Sequence, residues 1–367
     1  METMKICVID EPLNLNVLRE LVPCVSDTIT IIQRENAEEE IYRISHGTLC
    51  TALLIEALMK YKILDQVKIT HYSIAGDGGE KAFPAIMEAL EYCAGHEINL
   101  VSMSVGMVSQ ARTKDMLPVL ERLNHTVVVA AASNRFALTY PAAMPQVIGA
   151  KRAMRRQDDE IDRISNPIDG IDIVADLPET DVMKLFYERC NIAYRKSNSE
   201  LVPQLCARIA AKALQEGEML TKNYALDCLQ ALPRASVTAD YSHIYPLNGD
   251  AQVPAVILPY GGNAKEAFNL AQVLQKEFEK NDYSCAVLSE EVENSDFVQG
   301  WYQLDAINQK RCFNYYQNAI TEGILLVLVQ NDRVQGFGGD LIMKNWCDKI
   351  LCGNTADLYL TILRNFL

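Results

Sequence analysis

From Lys5 to Ala175 the chain alternates short apolar runs with longer stretches whose apolar residues recur at helical spacing. Lys5–Ile9, Thr28–Gln33, Val67–Ile74, Leu100–Val105, Thr126–Ala132, Pro145–Ala150 and Ile171–Ala175 have the length and β-branched content of buried strands. Gly47–Tyr61, Ala82–Ala94, Met116–Leu123, Leu201–Leu214 and Asn223–Leu232 read as helices. Strands separated by crossover helices predict an α/β fold with a mostly parallel, doubly wound sheet covered on both faces. The pattern pauses over residues 235–252, which carry turn residues and no periodicity, and then restarts. Val253–Leu258, Ser284–Leu288 and Gly323–Val329 read as strands, and Lys265–Lys280 and Tyr302–Ile320 as helices. The expected organisation is a first domain over 1–234, a linker over 235–252 and a second, smaller α/β domain over 253–367.

Composition narrows the functional classes. A chain of 367 residues, 49% of them hydrophobic, can bury a large core. Its net charge of −14 argues against a surface for nucleic acid or an anionic membrane. The eleven cysteines are scattered, include no CxxC pair and often sit inside apolar runs, as at Cys7, Cys50, Cys206 and Cys285. They read as reduced thiols of a cytoplasmic protein. The five histidines pair with no cysteine at ligand spacing, so no metal and no cofactor is expected. The run Ile6–Ile9 is too short for a signal peptide, and no later run is long enough to cross a membrane. With Asp10 so near the start, no N-terminal propeptide is expected.

Three segments carry chemistry: Cys7-Val-Ile-Asp10, Ser45-His-Gly-Thr48 and Ser197-Asn-Ser-Glu-Leu-Val-Pro203. Each has a plain structural reading. Asp10 after a strand is a turn or helix cap, His46 a loop or cap residue, and Ser199 a helix N-cap. Together they place a carboxylate, an imidazole and a hydroxyl in the order Asp…His…Ser. A serine hydroxyl is a weak nucleophile until a base takes its proton, and the base needs a carboxylate to fix its tautomer.

On these segments and four more, the chain resembles the subtilisin-like serine peptidases over most of residues 5–215. His46-Gly-Thr-Leu-Cys-Thr-Ala52 is similar to that family's histidine helix start. Leu100-Val-Ser-Met-Ser-Val-Gly106 is similar to its peptide-cleft strand, and Val128-Val-Ala-Ala-Ala-Ser-Asn134 to the strand bearing its oxyanion asparagine. Tyr140-Pro-Ala with Val147-Ile-Gly-Ala150, and Ile164-Ser-Asn166 with Ile171-Asp-Ile-Val-Ala175, continue the series in order. The resemblance implies a subtilisin-like fold and hydrolysis of a peptide bond through an acyl-enzyme. Ser199 would attack, His46 would carry the proton, Asp10 would orient His46, and Asn134 would donate to the oxyanion with the Ser199 N–H. Ser104, Val105 and Gly106 would pair with substrate backbone, and Ala132 and Ser133 would line the adjoining pocket.

The chain departs from the family in carrying Ser197-Asn198 where the family has Gly-Thr, and Ser133 where it has Gly. Glu11 and Glu200 add negative charge beside the site, expected to raise the His46 pKa or to favour a basic substrate residue. The reading is a cytoplasmic serine endopeptidase acting on a peptide or protein substrate, with restricted processing such as leader-peptide removal from a ribosomally made peptide. The alternative is a catalytically inactive scaffold of the same fold that binds a peptide or partner protein. In the second domain, Gly261-Gly-Asn263 opens a helix and could cradle phosphate. It lacks the Gly-Lys-Ser/Thr ending of a P-loop, so a helix cap is the plainer reading. Substrate recognition and homo-oligomerisation are both open roles for that domain.

Overall fold

The apolar run at the start of the chain forms the middle of a nine-stranded sheet. In the computed structural model, β1 (Met4–Asp10) lies in parallel between β3 and β4, so water reaches neither edge of it. The structure describes residues 3–23, 29–32, 45–74, 82–135, 137–153, 160–164, 167–194, 196–229, 233–234 and 252–366. The family-like Ser165-Asn166 and nearly all of the expected linker, 235–251, lie outside the described residues.

The described chain divides into two units. The first comprises Met1–Met107, Asp115–Arg135 and Thr139–Ser236. Its elements run β1, α1 (Leu15–Leu21), β2 (Ile29–Ile32), α2 (His46–Lys60), β3 (Val67–Ser73), α3 (Phe83–Gly95), β4 (Leu100–Met103), α4 (Thr113–Arg122) and β5 (Val127–Ala131). They continue through β6 (Ile148–Arg152), β7 (Glu160–Ile164), β8 (Ile173–Asp176), α5 (Asp181–Cys190), α6 (Leu201–Glu216), α7 (Lys222–Cys228) and β9 (Pro233–Arg234). The sheet order is β2-β3-β1-β4-β5-β6-β8-β7-β9. Every pairing is parallel except β7 with β8.

Alternation along β1 covers both faces. Ile6 and Val8 join one core with Leu49, Leu53 and Leu54 of α2 and Leu205 and Ile209 of α6. Cys7 faces the other way, toward Cys93 of α3. The neighbouring helices α2 and α6 carry small residues on their buried surface, Ala52 on one and Ala207 and Ala210 on the other.

The second unit comprises Val108–Lys114, Phe136–Leu138 and Val237–Leu367. It holds β10 (Ala255–Tyr260), α8 (Ala264–Glu279), β11 (Cys285–Ser289), β12 (Trp301–Gln303), α9 (Gln309–Ala319), β13 (Ile324–Gln330), β14 (Leu341–Ile342), α10 (Trp346–Leu351) and α11 (Thr355–Leu363). All its pairings are parallel, in the order β12-β11-β13-β10-β14. The protein is thus mixed α/β with two largely parallel sheets.

Several expectations shift. The helix expected over Tyr302–Ile320 starts only at Gln309. Residues 301–303 pair with β11, and the Asp305 carboxylate accepts the Ile307 N–H in a turn that separates strand from helix. The strand expected over Pro145–Ala150 lies at Ile148–Arg152, because residues 141–147 are taken up by turns. Helix α5 was not expected; Thr180, whose hydroxyl accepts the Met183 N–H as an N-cap, is the signal that marks its start. Among the described residues no helix is long and apolar enough to cross a membrane, and none of the described cysteines is in a disulfide.

Candidate active site

Strand β1 ends at Asp10, which is fully buried at the carboxyl edge of the parallel sheet. Ligand sites of open parallel sheets gather at that edge. The next turn brings Glu11 against the first turn of α2. There a Cβ on Gly47 would stand 2.0 Å from the Glu11 carbonyl oxygen, a distance no side chain tolerates. Glycine at 47 is therefore what lets α2 start against the end of β1 and places His46 beside Asp10. Ser45 caps the helix by accepting the Thr48 N–H, and the Glu11 carboxylate accepts the His46 N–H at 2.9 Å.

His46 Nδ1 lies 3.0 and 3.1 Å from the two Asp10 oxygens, and its Nε2 lies 2.9 Å from Ser199 Oγ. With Nδ1–H donating to Asp10, Nε2 is left to accept the Ser199 proton. Asp10 also accepts the Glu11 N–H at 2.8 Å. Burial works to raise the Asp10 pKa, but the charge and hydrogen bond of His46 outweigh it and hold the carboxyl below its ordinary value. For His46, burial favours the neutral ring, while a Cys50 thiolate and the Asp10 carboxylate would each favour the cation; the net direction is well above the ordinary histidine value. Cys50 itself is pushed up to about 12 by burial, so it is a neutral thiol near neutral pH and Asp10 is the group that holds the proton on His46.

Ser199 lies in the turn before α6 and is buried, with its Oγ against His46 Nε2 and 3.0 Å from the Ser197 hydroxyl. Its carbonyl accepts from Ser104 Oγ at 3.2 Å. Asn134, which follows β5, accepts the Asn198 N–H through Oδ1 at 2.8 Å; this orients its Nδ2 half as a donor. Asn198 Nδ2 in turn donates to the carbonyls of Ala132 and Ser133, both at 3.1 Å. The geometry thus brings together Asp10, His46, Ser199, Asn134, Ser104, Ala132 and Ser133. Val105 is half-buried and Gly106 exposed, beyond Met103, where the ladder of β4 with β1 and β5 stops.

Glu200 does not behave as expected. Its side chain is fully buried and turned away from His46, accepting the Tyr187 hydroxyl at 2.6 Å and the Ser197 N–H at 3.4 Å. Two further residues have no signal in the motifs. His71 is buried on β3, with Nδ1 2.8 Å from Thr51 Oγ1 and Nε2 2.9 Å from the Glu11 carbonyl. Burial lowers its pKa, so it is a neutral ring that braces the turn after Asp10. Arg152 closes β6 and reaches the turn before Ser199.

Among the described residues, Asp10, His46 and Cys50 could share a cation, since one ligand atom of each lies within 4.8 Å of the others. A cation there would compete with the Asp10–His46 hydrogen bond.

No protein-family model and no curated protein matches the chain. Among solved structures it is similar to a psychrophilic subtilisin-like protease from an Antarctic Pseudoalteromonas, with 15% identity and a TM-score of 0.29 over 41% of this chain and 36% of that one. It is also similar to the epidermin leader peptide processing serine protease of Staphylococcus aureus, with 14% identity and a TM-score of 0.44 over 65% of this chain and 72% of that one. The chain spans about a third of the length of the first of these and somewhat more than two thirds of the second.

Proposed function

We propose that this protein is a serine endopeptidase that cleaves a peptide bond through an acyl-enzyme. The observation that carries the reading is the hydrogen-bonded chain Asp10–His46–Ser199, with 3.0 Å at one joint and 2.9 Å at the other. In this reading Ser199 Oγ attacks the carbonyl carbon as its proton passes to His46 Nε2. The imidazolium that forms is stabilised by the Asp10 carboxylate, which stays ionised. The oxyanion is met by Asn134 Nδ2 and the Ser199 N–H, the latter near the positive end of α6. His46 then returns its proton to the leaving amine, and a water molecule, activated by the same ring, releases the acyl group. Substrate backbone would lie along Ser104–Gly106 as an added strand. Restricted processing of one peptide, such as removal of a leader segment, is the narrower form of the proposal.

The test is labelling of the intact protein by a fluorophosphonate, which phosphonylates a serine activated by a neighbouring base and releases fluoride. Wild type should label, and Ser199→Ala and His46→Ala should not. A folded wild type that stays unlabelled while binding peptides would replace the enzyme with an inactive peptide-binding scaffold.

A further inference from the structure

We infer that Arg152 is a positioning residue for Ser199: it fixes the Ser197-Asn198 turn and so sets where the Ser199 hydroxyl and N–H stand. The inference rests on the proposal that Ser199 is the nucleophile.

Three observations support it. The Arg152 side chain is only 5% exposed, yet its Nε donates to the Ser197 carbonyl at 2.8 Å and its backbone N–H to Asn198 Oδ1 at 2.8 Å. The same guanidinium is anchored from behind, with Nη1 donating to the Leu177 carbonyl at 3.1 Å and to Asp176 at 3.4 Å. Glu200, 3.5 Å from Nη2, accepts the Ser197 N–H, so the peptide groups on both sides of Ser197 are held by one buried ion pair. Asn198 then passes this constraint to Ala132, Ser133 and Asn134, the segment that would hold the oxyanion.

A structural role alone accounts poorly for the arrangement. A buried ion pair is weak support for stability, because its desolvation offsets most of its attraction and a packed apolar pair often does as well. Its value lies in direction. The planar fork of arginine holds two acceptors at fixed angles, which a lysine ammonium does not. The residues it holds are those that stand where the resembled family has Gly-Thr.

The experiment measures the second-order rate of Ser199 phosphonylation by the fluorophosphonate across pH, alongside the Tm, for wild type, Arg152→Lys, Arg152→Met and the double variant Arg152→Met/Glu200→Gln. Displacing reacting groups by a fraction of an ångström to an ångström costs about ten- to a hundredfold. Arg152→Lys should therefore lose about that factor in the plateau rate, with the pH midpoint unchanged because His46 and Asp10 are untouched. The double variant removes Arg152 and Glu200 together and leaves Asp176 paired with Lys196 at 2.9 Å, so it should regain most of the Tm lost by Arg152→Met and yet stay slow. A double variant that regains rate together with Tm, or an Arg152→Lys that reacts as wild type does, overturns the assignment while the nucleophile reading survives. An unreactive, folded wild type overturns both. Should Arg152→Met not fold, the lysine and double variants carry the test.

Discussion

The two units are both built on parallel sheets, yet they treat the carboxyl edge of those sheets differently. In the first, β1 ends in a buried carboxylate, α2 opens on a half-exposed imidazole and the turn before α6 holds a buried hydroxyl. Buried polar side chains crowd behind them: Thr51, His71, Arg152, Asp176 and Glu200. In the second, β10 leads through Gly261-Gly262 to Asn263, whose Oδ1 accepts the N–H groups of Lys265 and Glu266. Gly262 supplies the left-handed backbone, φ +95°, that the turn needs. The helix start that could have cradled phosphate is thus capped by its own side chain. The same strand–helix unit makes a site only where polar groups are buried and held with a lone pair or proton to spare. Where a cap consumes them, it makes a stable turn.

Ser199→Ala should lower peptide-bond hydrolysis by on the order of 10⁴-fold or more, read as kcat, because the residual rate rests on binding and oxyanion contacts alone. Asn134→Ala should cost about 10²–10³-fold in kcat with little change in KM, the loss typical of one oxyanion donor; a change confined to KM would assign Asn134 to binding instead. Gly47→Ala should destabilise the first unit by several kcal/mol or prevent its folding, since the added Cβ meets the Glu11 carbonyl at 2.0 Å. Thermal unfolding reads this directly.

The pH profile is subtler. Since Asp10 holds the His46 proton, acylation of Ser199 should rise with pH through a midpoint above the ordinary histidine value, and Asp10→Asn should bring that midpoint down. Stability follows the same group with the opposite sense. The contribution of protonated His46 is full below the unfolded histidine pKa and is lost as pH rises through its raised folded value. That of ionised Asp10 is present above the unfolded carboxyl pKa and fades as pH falls through its lowered folded value. The smallest effect belongs to the second unit. Asn263→Ala should cost about 1 kcal/mol, as a lost cap does, and leave labelling of Ser199 unchanged. A drop in labelling would mean that this turn contributes to the reactive site.

Much of this was legible in the sequence because the residues concerned stand at the ends of periodic segments. Asp10 closes an apolar run, His46 opens a helical one, and Ser199 precedes another. Arg152 and Glu200 gave no such signal. Arg152 lies two residues past the strand expected over Pro145–Ala150 and Glu200 reads as a first-turn acid on a helix, and their meeting depends on packing between segments about 45 residues apart. His71 is similarly hidden, because a histidine inside a strand says nothing about the carbonyl it meets. The helix expected through Tyr302–Asn308 failed for a related reason. Period alone cannot separate a three-residue buried strand from a helix start, and the pairing of β12 with β11 decided it.

Local order in the chain accounts for the alternation of strands and helices, the parallel sheets that follow from it, and the positions of Asp10, His46 and Ser199 at the ends of periodic segments. Those depend on local period and on short-range capping chemistry, which a chain carries in its order of residues. Only the closed fold brings the three side chains to hydrogen-bond distance, turns Glu200 inward to Tyr187 and Ser197, and sets the Arg152 guanidinium on the Ser197 carbonyl. Such contacts join residues far apart in the chain, and their directions are set only when the core around them closes.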